Sequence, residues 1–263
     1  MNAPVPAIAW RGLEVSFGTA HCAVRDLDLE LAEREFLCIV GPTGCGKSTL
    51  LNTAAGLLPP TRGEVQVFGA RLAGLNRDAG YLFQADALLP WRTALSNVAA
   101  GLEFRGHSKQ DAAAQARHWL SQVDLAHAAD RYPHQLSGGM KKRVALAQVL
   151  AVEPRLLLMD EPFSALDIHT RSLMENELLA LWERHAKSVV FITHDLEEAI
   201  ALGDRVVVLS AGPASRPIAD FRIDLPRPRD VAETRLHPRF IELHAALWAS
   251  LRDEVRKSHQ EDA

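Results

Sequence analysis

The sequence predicts an α/β protein whose core is a largely parallel β-sheet. Short apolar runs at residues 36–40, 156–159 and 189–193 have the length of strands that are buried on both faces. Stretches with apolar residues at helical spacing separate these runs. Strands that alternate with helices indicate a parallel sheet whose faces are covered by helices.

In chain order, the first predicted strand is residues 27–31, where apolar and acidic side chains alternate as in a strand with one solvent-facing side. The buried run 36–40 follows and leads into a glycine-rich turn. Apolar residues at helical spacing come next and predict a helix that ends at the proline pair 59–60. Residues 86–152 are rich in Ala and Leu at helical spacing, and residues 205–209 predict a fourth strand of the core.

The sequence pattern changes after Gly212. Alternation from Ala219 to Leu225 predicts an edge strand, and the Pro-Arg-Pro-Arg run at 226–229 predicts a stiff connector. An amphipathic terminal helix is expected to pack back onto the domain, and binding of a partner is the alternative. The apolar residues of that helix are Phe240, Leu247, Trp248, Leu251 and Val255.

Composition and charge exclude several classes of function. The chain has 263 residues and a formal net charge of −4, so its overall balance does not predict binding to nucleic acid or to an anionic membrane surface. Its cysteines, Cys22, Cys38 and Cys45, lack metal-type spacing and fit a reduced cytosolic protein. The N-terminus has no signal-peptide pattern, and no apolar run reaches the roughly 18 to 20 residues that span a bilayer. If the protein serves a membrane, we expect it to do so from one side.

A glycine-rich loop with a phosphate-binding pattern follows the first buried strand. Residues 41–49, GPTGCGKST, match G-x-x-x-x-G-K-[ST] directly after a predicted strand and before a predicted helix. The glycines let backbone amides surround phosphate oxygens, Lys47 supplies a positive charge, and the Ser48 hydroxyl can ligate Mg²⁺. The alternative is a tight glycine turn that binds nothing. The predicted nucleotide-binding residues of the loop are Gly41, Pro42, Thr43, Gly44, Cys45, Gly46, Lys47, Ser48 and Thr49.

An acidic pair ends the second apolar strand. Asp160 and Glu161 follow residues 156–159 at the carboxyl edge, where open α/β sheets bind ligands. Asp160 is placed to hold magnesium through water, and Glu161 to orient or deprotonate the attacking water, a role that contributes roughly 10²- to 10⁴-fold in rate. The alternative is a solvated acidic pair that caps a strand. The run PFSALD at 162–167 favours the catalytic interpretation.

The order of these motifs resembles the ATP-binding cassette (ABC) family. The chain carries LSGG at 136–139, the run DEPFSALD at 160–167, a lone Gln84 after an apolar stretch, and His194 at the end of a strand. Ordinary P-loop kinases and GTPases lack LSGG. Family members more often have Gln or Arg where this chain has Lys142 and Gln148.

This resemblance implies a P-loop NTPase of the ABC cassette type, with ATP and Mg²⁺ as cofactors. The implied architecture is a RecA-like parallel-sheet core with an N-terminal antiparallel β subdomain and an inserted α-helical subdomain. We expect the ABC ATPase domain at residues 8–212, with the helical subdomain at about 86–152. The edge strand, connector and terminal helix would occupy residues 213–263.

The resemblance also implies roles for single residues in a dimer that sandwiches two ATP molecules. Gln84 would contact Mg²⁺ or the attacking water, and His194 would contact the γ-phosphate. The implied catalytic residues are Lys47, Gln84, Glu161 and His194, and the implied magnesium ligands are Ser48, Gln84 and Asp160.

Further residues are implied to act across the dimer or on the base. Ser137, Gly138 and Gly139 would grip the γ-phosphate held by the opposite subunit, and Asp167 would communicate across the dimer. Phe17 resembles the aromatic residue that stacks on adenine in this family, and a core phenylalanine is the alternative.

The segment after Gln84 is implied to bind a membrane partner. In the family this region forms a groove that receives a coupling helix from the transmembrane subunit, and an apolar anchor suits such binding. The alternative is the core of the helical subdomain. The predicted groove residues are Leu88, Leu89, Pro90 and Trp91.

Three less specific runs resemble the nitrate/sulfonate/taurine importer branch of the family. They are LLPW at 88–91, LMENELLALW at 173–182 and LPRPRD at 225–230. This branch implies a second cassette, most simply an identical one, together with transmembrane permease subunits and, indirectly, a periplasmic or extracellular solute-binding protein. It implies no nucleic acid and a peripheral position at the cytoplasmic face of the cell membrane. A sulfonate or nitrate-type anion is the expected solute.

Two other functions are alternatives. Soluble ABC ATPases that work on DNA or ribosomes usually carry long coiled coils or two cassettes, and this sequence has one cassette and no sustained heptad run. A regulatory subunit that binds ATP without turnover would usually have lost a catalytic residue. Lys47, Asp160, Glu161 and His194 are all present.

Overall fold

Two β-sheets and several helices make up the fold. The structure, a computed structural model, describes residues 5–18 and 21–261. The strands are β1 (Ile8–Phe17), β2 (His21–Leu31), β3 (Phe36–Val40), β4 (Arg62–Val67), β5 (Ala70–Arg71), β6 (Ala79–Leu82), β7 (Leu156–Asp160), β8 (Ser188–Ile192), β9 (Arg205–Leu209) and β10 (Pro217–Arg222). The helices are α1 (Lys47–Ala54), α2 (Ala94–Phe104), α3 (Lys109–Gln122), α4 (Gly138–Ala151), α5 (Ile168–His185), α6 (Leu196–Leu202), α7 (Val231–Thr234) and α8 (Pro238–Glu261), and short 3-10 turns lie at Ala126–Ala128 and Pro133–Gln135.

The central sheet has the strand order β10-β9-β3-β8-β7-β6. Strands β9, β3, β8, β7 and β6 run parallel, and β10 is the antiparallel edge strand. Alternate side chains of β3 point to opposite faces: Phe36 and Cys38 contact the core shared with the helices, whereas Leu37 and Ile39 contact the core shared with the second sheet. Because both faces are covered, the strand is apolar throughout, and the predicted α/β class is confirmed.

The second sheet is antiparallel and has the order β2-β1-β4-β5. Its buried side chains, among them Trp10, Leu27 and Leu31, pack with α1 and one face of the central sheet. The indole N–H of Trp10 donates a hydrogen bond of 3.0 Å to the hydroxyl of Thr53 and so fixes this sheet to α1. This sheet is the antiparallel β subdomain that the resemblance implied.

Helices α2, α3 and α4 pack against one another beside the central sheet. Helix α4 approaches β6 closely at Gly80, where an added Cβ would lie 2.6 Å from Val149 Cγ1. The implied helical insertion is therefore present. The domain boundaries given above stay predictions, and their last two residues, 262–263, lie outside the described part of the chain.

The helix after the glycine-rich loop is shorter than the sequence predicts. Helix α1 ends at Ala54, five residues before Pro59. The chain turns at Gly56, whose φ of 70° is costly for other residues, and an added Cβ there would overlap the carbonyl of Gly74. A long-range contact therefore ends the helix before the prolines do.

The C-terminal segment folds back onto the domain. Strand β10 ends at Arg222, earlier than the alternation predicts, while Ile223 and Leu225 beyond it are buried. Phe240, Leu243, Leu247 and Leu251 of α8 join the core, but Trp248 is 47% exposed and does not belong to the buried face. Within residues 5–18 and 21–261, no helix is both long enough and apolar enough to cross a bilayer.

Buried Arg229 holds the connector against the end of α6. Its guanidinium is buried, and burial lowers its pKa to about 10. The cost of burying the guanidinium is offset because its donors meet backbone carbonyls at the end of α6 and in the connector. The accepting carbonyls are those of Ile200, Ala201, Gly203, Leu225 and Pro226, at 2.7 to 3.4 Å.

Replacing Arg229 by Met should lower the free energy of unfolding by about 3 kcal/mol, because several buried carbonyls lose their charged donor. Urea unfolding followed by circular dichroism measures the change. Arg239→Met is the matched control: this exposed arginine pairs with exposed Asp224 and Glu242, and its loss should leave the midpoint unchanged. Equal midpoints for the two variants would contradict the role given to Arg229.

Candidate functional site

A cavity of about 480 Å³ lies at the carboxyl edge of the central sheet. Strands β3, β6, β7 and β8 run parallel, so the segments that leave their carboxyl ends meet at this edge. The cavity brings together half of the site residues predicted from the sequence. Its lining is Phe17, Ala23, Thr43, Gly44, Gly46, Lys47, Ser48, Thr49, Gln84, Asp160, Glu161 and His194.

The glycine-rich loop forms the floor of the cavity. Gly44 and Gly46 adopt φ values of 77° and 91°, and Gly46 is the residue immediately before α1. An added Cβ at Gly46 would also lie 3.0 Å from Val24 Cγ2. Both the backbone conformation and the space therefore require glycine here. The arrangement turns the loop and the start of α1 toward the cavity, as an anion site requires.

Lys47 is folded back onto this loop. Its ammonium donates hydrogen bonds of 2.9 Å to the carbonyls of Gly41 and Pro42, and its side chain is buried. Cys45 is buried in the adjoining core, where burial raises the pKa of its thiol. Of the loop residues predicted to bind nucleotide, Gly41, Pro42 and Cys45 thus shape the loop and hold Lys47, while the others line the cavity.

Ser48 and Asp160 form a pair of oxygen donors next to the lysine. The Ser48 hydroxyl donates to Asp160 Oδ1 at 3.1 Å. Burial raises the pKa of Asp160, against the opposing hydrogen bond from Ser48 and the charge of Lys47. Among the described residues no group of three or more His, Cys, Asp or Glu could hold a metal ion. This donor set fits Mg²⁺, which binds proteins through few oxygen ligands and keeps waters and phosphates as the others.

Glu161 and His194 face each other across the cavity. Glu161 Oε2 lies 2.9 Å from His194 Nδ1. The backbone of Glu161 has φ 42° and donates to the carbonyl of Ile192 at 2.9 Å, which places its side chain beyond the sheet edge. A carboxylate in hydrogen-bond contact with an imidazole can orient water or accept its proton.

Ser164 links Glu161 to Gln84 and has no role in the sequence prediction. Its hydroxyl donates to the carbonyl of Glu161 at 3.0 Å, and Gln84 Nε2 lies 3.5 Å from the same hydroxyl. The signal in the sequence was a serine three residues after the predicted base. This spacing closes a tight turn in the backbone but does not reveal the contact with Gln84.

Ser137 and Asp167 lie outside the cavity and face solvent. Ser137 caps α4, with its hydroxyl accepting the N–H of Met140 at 3.3 Å, and Asp167 caps α5 by accepting the N–H of Thr170 at 3.0 Å. This hydrogen bonding to Thr170 lowers the pKa of Asp167. The start of α4 rests on α5, since an added Cβ at Gly139 would lie 2.8 Å from Thr170 Cγ2. The segment 137–139 and Asp167 are therefore not brought together with Lys47 within one chain.

Phe17 lines the cavity and is 49% exposed. The alternative of a core phenylalanine does not describe this position. An aromatic ring that lines a phosphate site has the chemistry to stack on a base.

The predicted partner surface is partly exposed. Leu88 and Leu89 are half-buried, whereas Pro90 is exposed and Trp91 is 71% exposed. Asn97, which the sequence prediction missed, is fully buried: its side chain accepts from Leu89 N at 2.7 Å and donates to Leu89 O at 3.2 Å. The signal was a lone asparagine among the apolar residues of α2.

A buried acidic group lies behind His194. Asp195 caps α6 and pairs with Arg171 at 3.3 Å. Glu198 of the same helix is buried, and its burial, with Glu175 and Asp195 nearby, raises its pKa to about 8. Glu175 is fully buried and has Arg235 at 3.6 Å. Three carboxyl groups thus lie close to the loop that carries His194, and Arg171 and Arg235 are the cations paired with two of them.

Comparison with known proteins gives the following likenesses. Residues 24–164 match the ABC transporter family. An uncharacterized ABC transporter ATP-binding protein of Methanocaldococcus jannaschii is 47% identical over 236 residues, which are 90% of this chain and 86% of that protein. A taurine import ATP-binding protein of Pseudomonas aeruginosa is 43% identical over 246 residues, 92% of this chain and 93% of that protein. The dimeric structure of an ATP-binding cassette in a post-hydrolysis state, bound to ADP and Pi, aligns with a TM-score of 0.74 at 31% identity and covers 83% of this chain and 100% of that chain.

Glu198 should make stability depend on pH. Its pKa rises from the usual 4.5 to about 8 on folding, so between these values the folded protein holds a proton that the unfolded chain has lost. The free energy of unfolding therefore falls as pH rises through this window. Glu198→Gln removes this titration. The free energy of unfolding should then fall less as pH rises, and near the upper end of the window it should exceed that of the wild type.

Urea unfolding at several values from about pH 5 to about pH 8 measures this effect. Glu197→Gln is the control, because Glu197 lies next in the same helix, is half-exposed and pairs with Arg235. Its loss should leave the slope unchanged. A Glu198→Gln variant with the wild-type slope would show that Glu198 is ionised in the folded protein.

Proposed function

This chain belongs to the ABC transporter family and is one of its ATPases, and from that premise we propose that it is the ATP-hydrolysing subunit of an importer for a small solute. In this proposal two copies form a homodimer that encloses two ATP molecules and drives membrane-embedded permease subunits. The chain would sit peripherally at the cytoplasmic face of the membrane, and a separate solute-binding protein would deliver the cargo.

The separation of Ser137 from Lys47 carries the proposal of a dimer. Ser137 caps α4 at an exposed position, and the cavity of the same chain contains none of residues 137–139. An exposed helix start with two glycines is suited to bind an anion. A second copy supplies such an anion, since its nucleotide would lie in an open cavity. The likeness to a dimeric cassette bound to ADP and Pi supports the same arrangement.

The proposed chemistry is positioning and charge stabilisation. Lys47 would leave the carbonyls of Gly41 and Pro42 for the β- and γ-phosphates, with the loop amides around them. Ser48 and Asp160, with Gln84, would hold the magnesium ion, which when bound neutralises charge on the phosphate oxygens.

Glu161 would orient and deprotonate the attacking water, and His194 would contact the γ-phosphate. In the present arrangement these two side chains satisfy each other at 2.9 Å. A phosphate that arrives between them would replace this mutual contact and bring both groups to the reacting centre. Phe17 would stack on the adenine.

The exposed surface around Trp91 is proposed to receive the permease. Trp91 and Pro90 project from a segment that begins just after Gln84, so the partner would sense the nucleotide cavity through a short stretch of chain. An exposed tryptophan supported by half-buried leucines has the composition of an interface anchor.

The proposed solute is a sulfonate or nitrate-type anion, with taurine, bicarbonate and related small solutes in the same group. The support is the 43% identity with a taurine import subunit over nearly the whole length of both chains. An ATPase subunit that does not contact the cargo leaves recognition to the binding protein and permease.

Glu161→Gln and Ser137→Arg should each abolish ATP turnover while ATP binding survives. Glu161→Gln removes the base, at a loss of roughly 10²- to 10⁴-fold, and Ser137→Arg places a bulky side chain where this chain would contact the nucleotide of the other copy. Steady-state phosphate release against protein concentration measures turnover. For the wild type it should rise more than linearly with concentration, because the active species is a dimer.

Mixing the two inactive variants before adding ATP should restore activity. A mixed dimer has one complete site, made from the cavity of the Ser137→Arg chain and the α4 start of the Glu161→Gln chain, so an equal mixture should reach about a quarter of the wild-type rate. Glu161→Gln mixed with Lys47→Ala is the control, because both changes damage the cavity and each mixed dimer lacks a complete site. Linear concentration dependence without complementation would show that one chain completes its own site, and the dimer would have to be abandoned.

Cells that lack this chain should fail to take up one solute of the proposed group. Uptake of radiolabelled taurine, an alkanesulfonate, nitrate and bicarbonate is measured in the deletion strain, with the wild-type chain and Glu161→Gln as complementing copies. We expect loss of uptake that the wild type restores and Glu161→Gln does not. Unchanged uptake of all four solutes would place the cargo outside this group.

A further inference from the structure

Lys142 is a buried lysine that joins two parts of the proposed site. It lies in α4, five residues after Ser137, and its side chain is only 4% exposed. Its ammonium contacts Asp86 at 3.0 Å and donates to the backbone carbonyl of Gln84 at 2.5 Å. Removing an ammonium group from water is costly, so these two contacts hold the side chain in place.

Gln84, which Lys142 contacts, lies at the nucleotide cavity. Gln84 lines the cavity, and its side chain lies 3.5 Å from the hydroxyl of Ser164, which itself donates to the carbonyl of Glu161. The backbone of Gln84 is thus held by Lys142 while its side chain contacts the hydroxyl of Ser164. No element of regular structure covers residues 83–93, so this contact is a main restraint on where Gln84 lies.

Helix α4 itself is firmly seated. It packs on β6 through the close approach at Gly80, and β6 ends two residues before Gln84. Lys142 lies near the opposite end of α4, and its contacts are the ones through which a movement of that end would reach Gln84. The neighbouring cation, Arg143, pairs instead with Glu177 of α5.

We propose that Lys142 is a positioning residue that couples the start of α4 to Gln84. The proposal rests on the dimer of the preceding section, in which Ser137 binds the nucleotide of the other copy. Engagement of Ser137 in one site would then set Gln84 in the other, so that each chain senses both nucleotides.

The test compares Lys142→Met, Lys142→Gln and the control Arg143→Met in the full-length chain. Lys142→Met keeps an unbranched side chain but removes both contacts, and it should lower kcat about tenfold while KM for ATP stays within about twofold, because the lost restraint matters to the transition state. Lys142→Gln can still donate to the carbonyl of Gln84 and should retain more of kcat. Arg143→Met loses an ion pair of the same helix and should keep kcat near that of the wild type.

A second readout addresses the coupling itself. In the Glu161→Gln background, ATP should drive dimer formation, and sedimentation velocity measures the dimer fraction against ATP. Adding Lys142→Met should shift this curve to higher ATP, and adding Arg143→Met should not. If Lys142→Met does not yield folded protein, Asp86→Asn removes the ion pair from outside α4 and is expected to lower kcat at constant KM.

Several results would overturn the proposal. A Lys142→Met protein that melts earlier but keeps the wild-type kcat, KM and dimer curve has lost only packing. Equal effects of Lys142→Met and Arg143→Met would lead to the same conclusion. Failure of Glu161→Gln and Ser137→Arg to complement overturns the dimer and the coupling together, whereas complementation with an unaffected Lys142→Met overturns the coupling alone.

Discussion

The structure depends on the parallel alignment of β6, β7, β8 and β3. Because these strands end at the same edge, the segments that follow them deliver a lysine, two acids, a glutamine and a histidine to one cavity of about 480 Å³. Because these apolar strands are buried on both faces, the edge of the sheet is rigid. The sheet itself therefore supports the polar side chains of the cavity. The antiparallel sheet and α1 cover one face, and the helical layer covers the other.

The features that follow from local sequence could be predicted. The strand of residues 36–40 is apolar because both faces are covered, and the glycine-rich loop is recognisable because its backbone conformation admits little else. The acidic pair at 160–161 was placed correctly at the end of β7. The order of motifs then identified the family and, with it, the antiparallel sheet and the helical insertion.

Features that depend on long-range contacts could not be predicted. Helix α1 stops at Ala54 because Gly56 meets Gly74, a contact between segments that are distant in the sequence. The burial of Lys142, Asn97 and Glu198 likewise depends on partners that no local pattern indicates. Trp248 fitted the apolar periodicity of α8 and is nevertheless half-exposed, because periodicity gives the spacing of a face but not its width.

Three buried ionisable side chains lie at the boundaries between structural units. Lys142 joins α4 to the segment of Gln84, Glu198 lies under the loop of His194, and Arg229 joins the connector to the end of α6. A buried charge adds little net stability compared with an apolar residue, but its loss of one partner is costly. Such groups therefore contribute more to the specific geometry of the contact between two units than to the net stability of that contact. The proposed function requires α4, Gln84 and His194 to respond to nucleotide. We infer that buried groups at these boundaries let the units adopt a small number of discrete relative positions and not a continuous range.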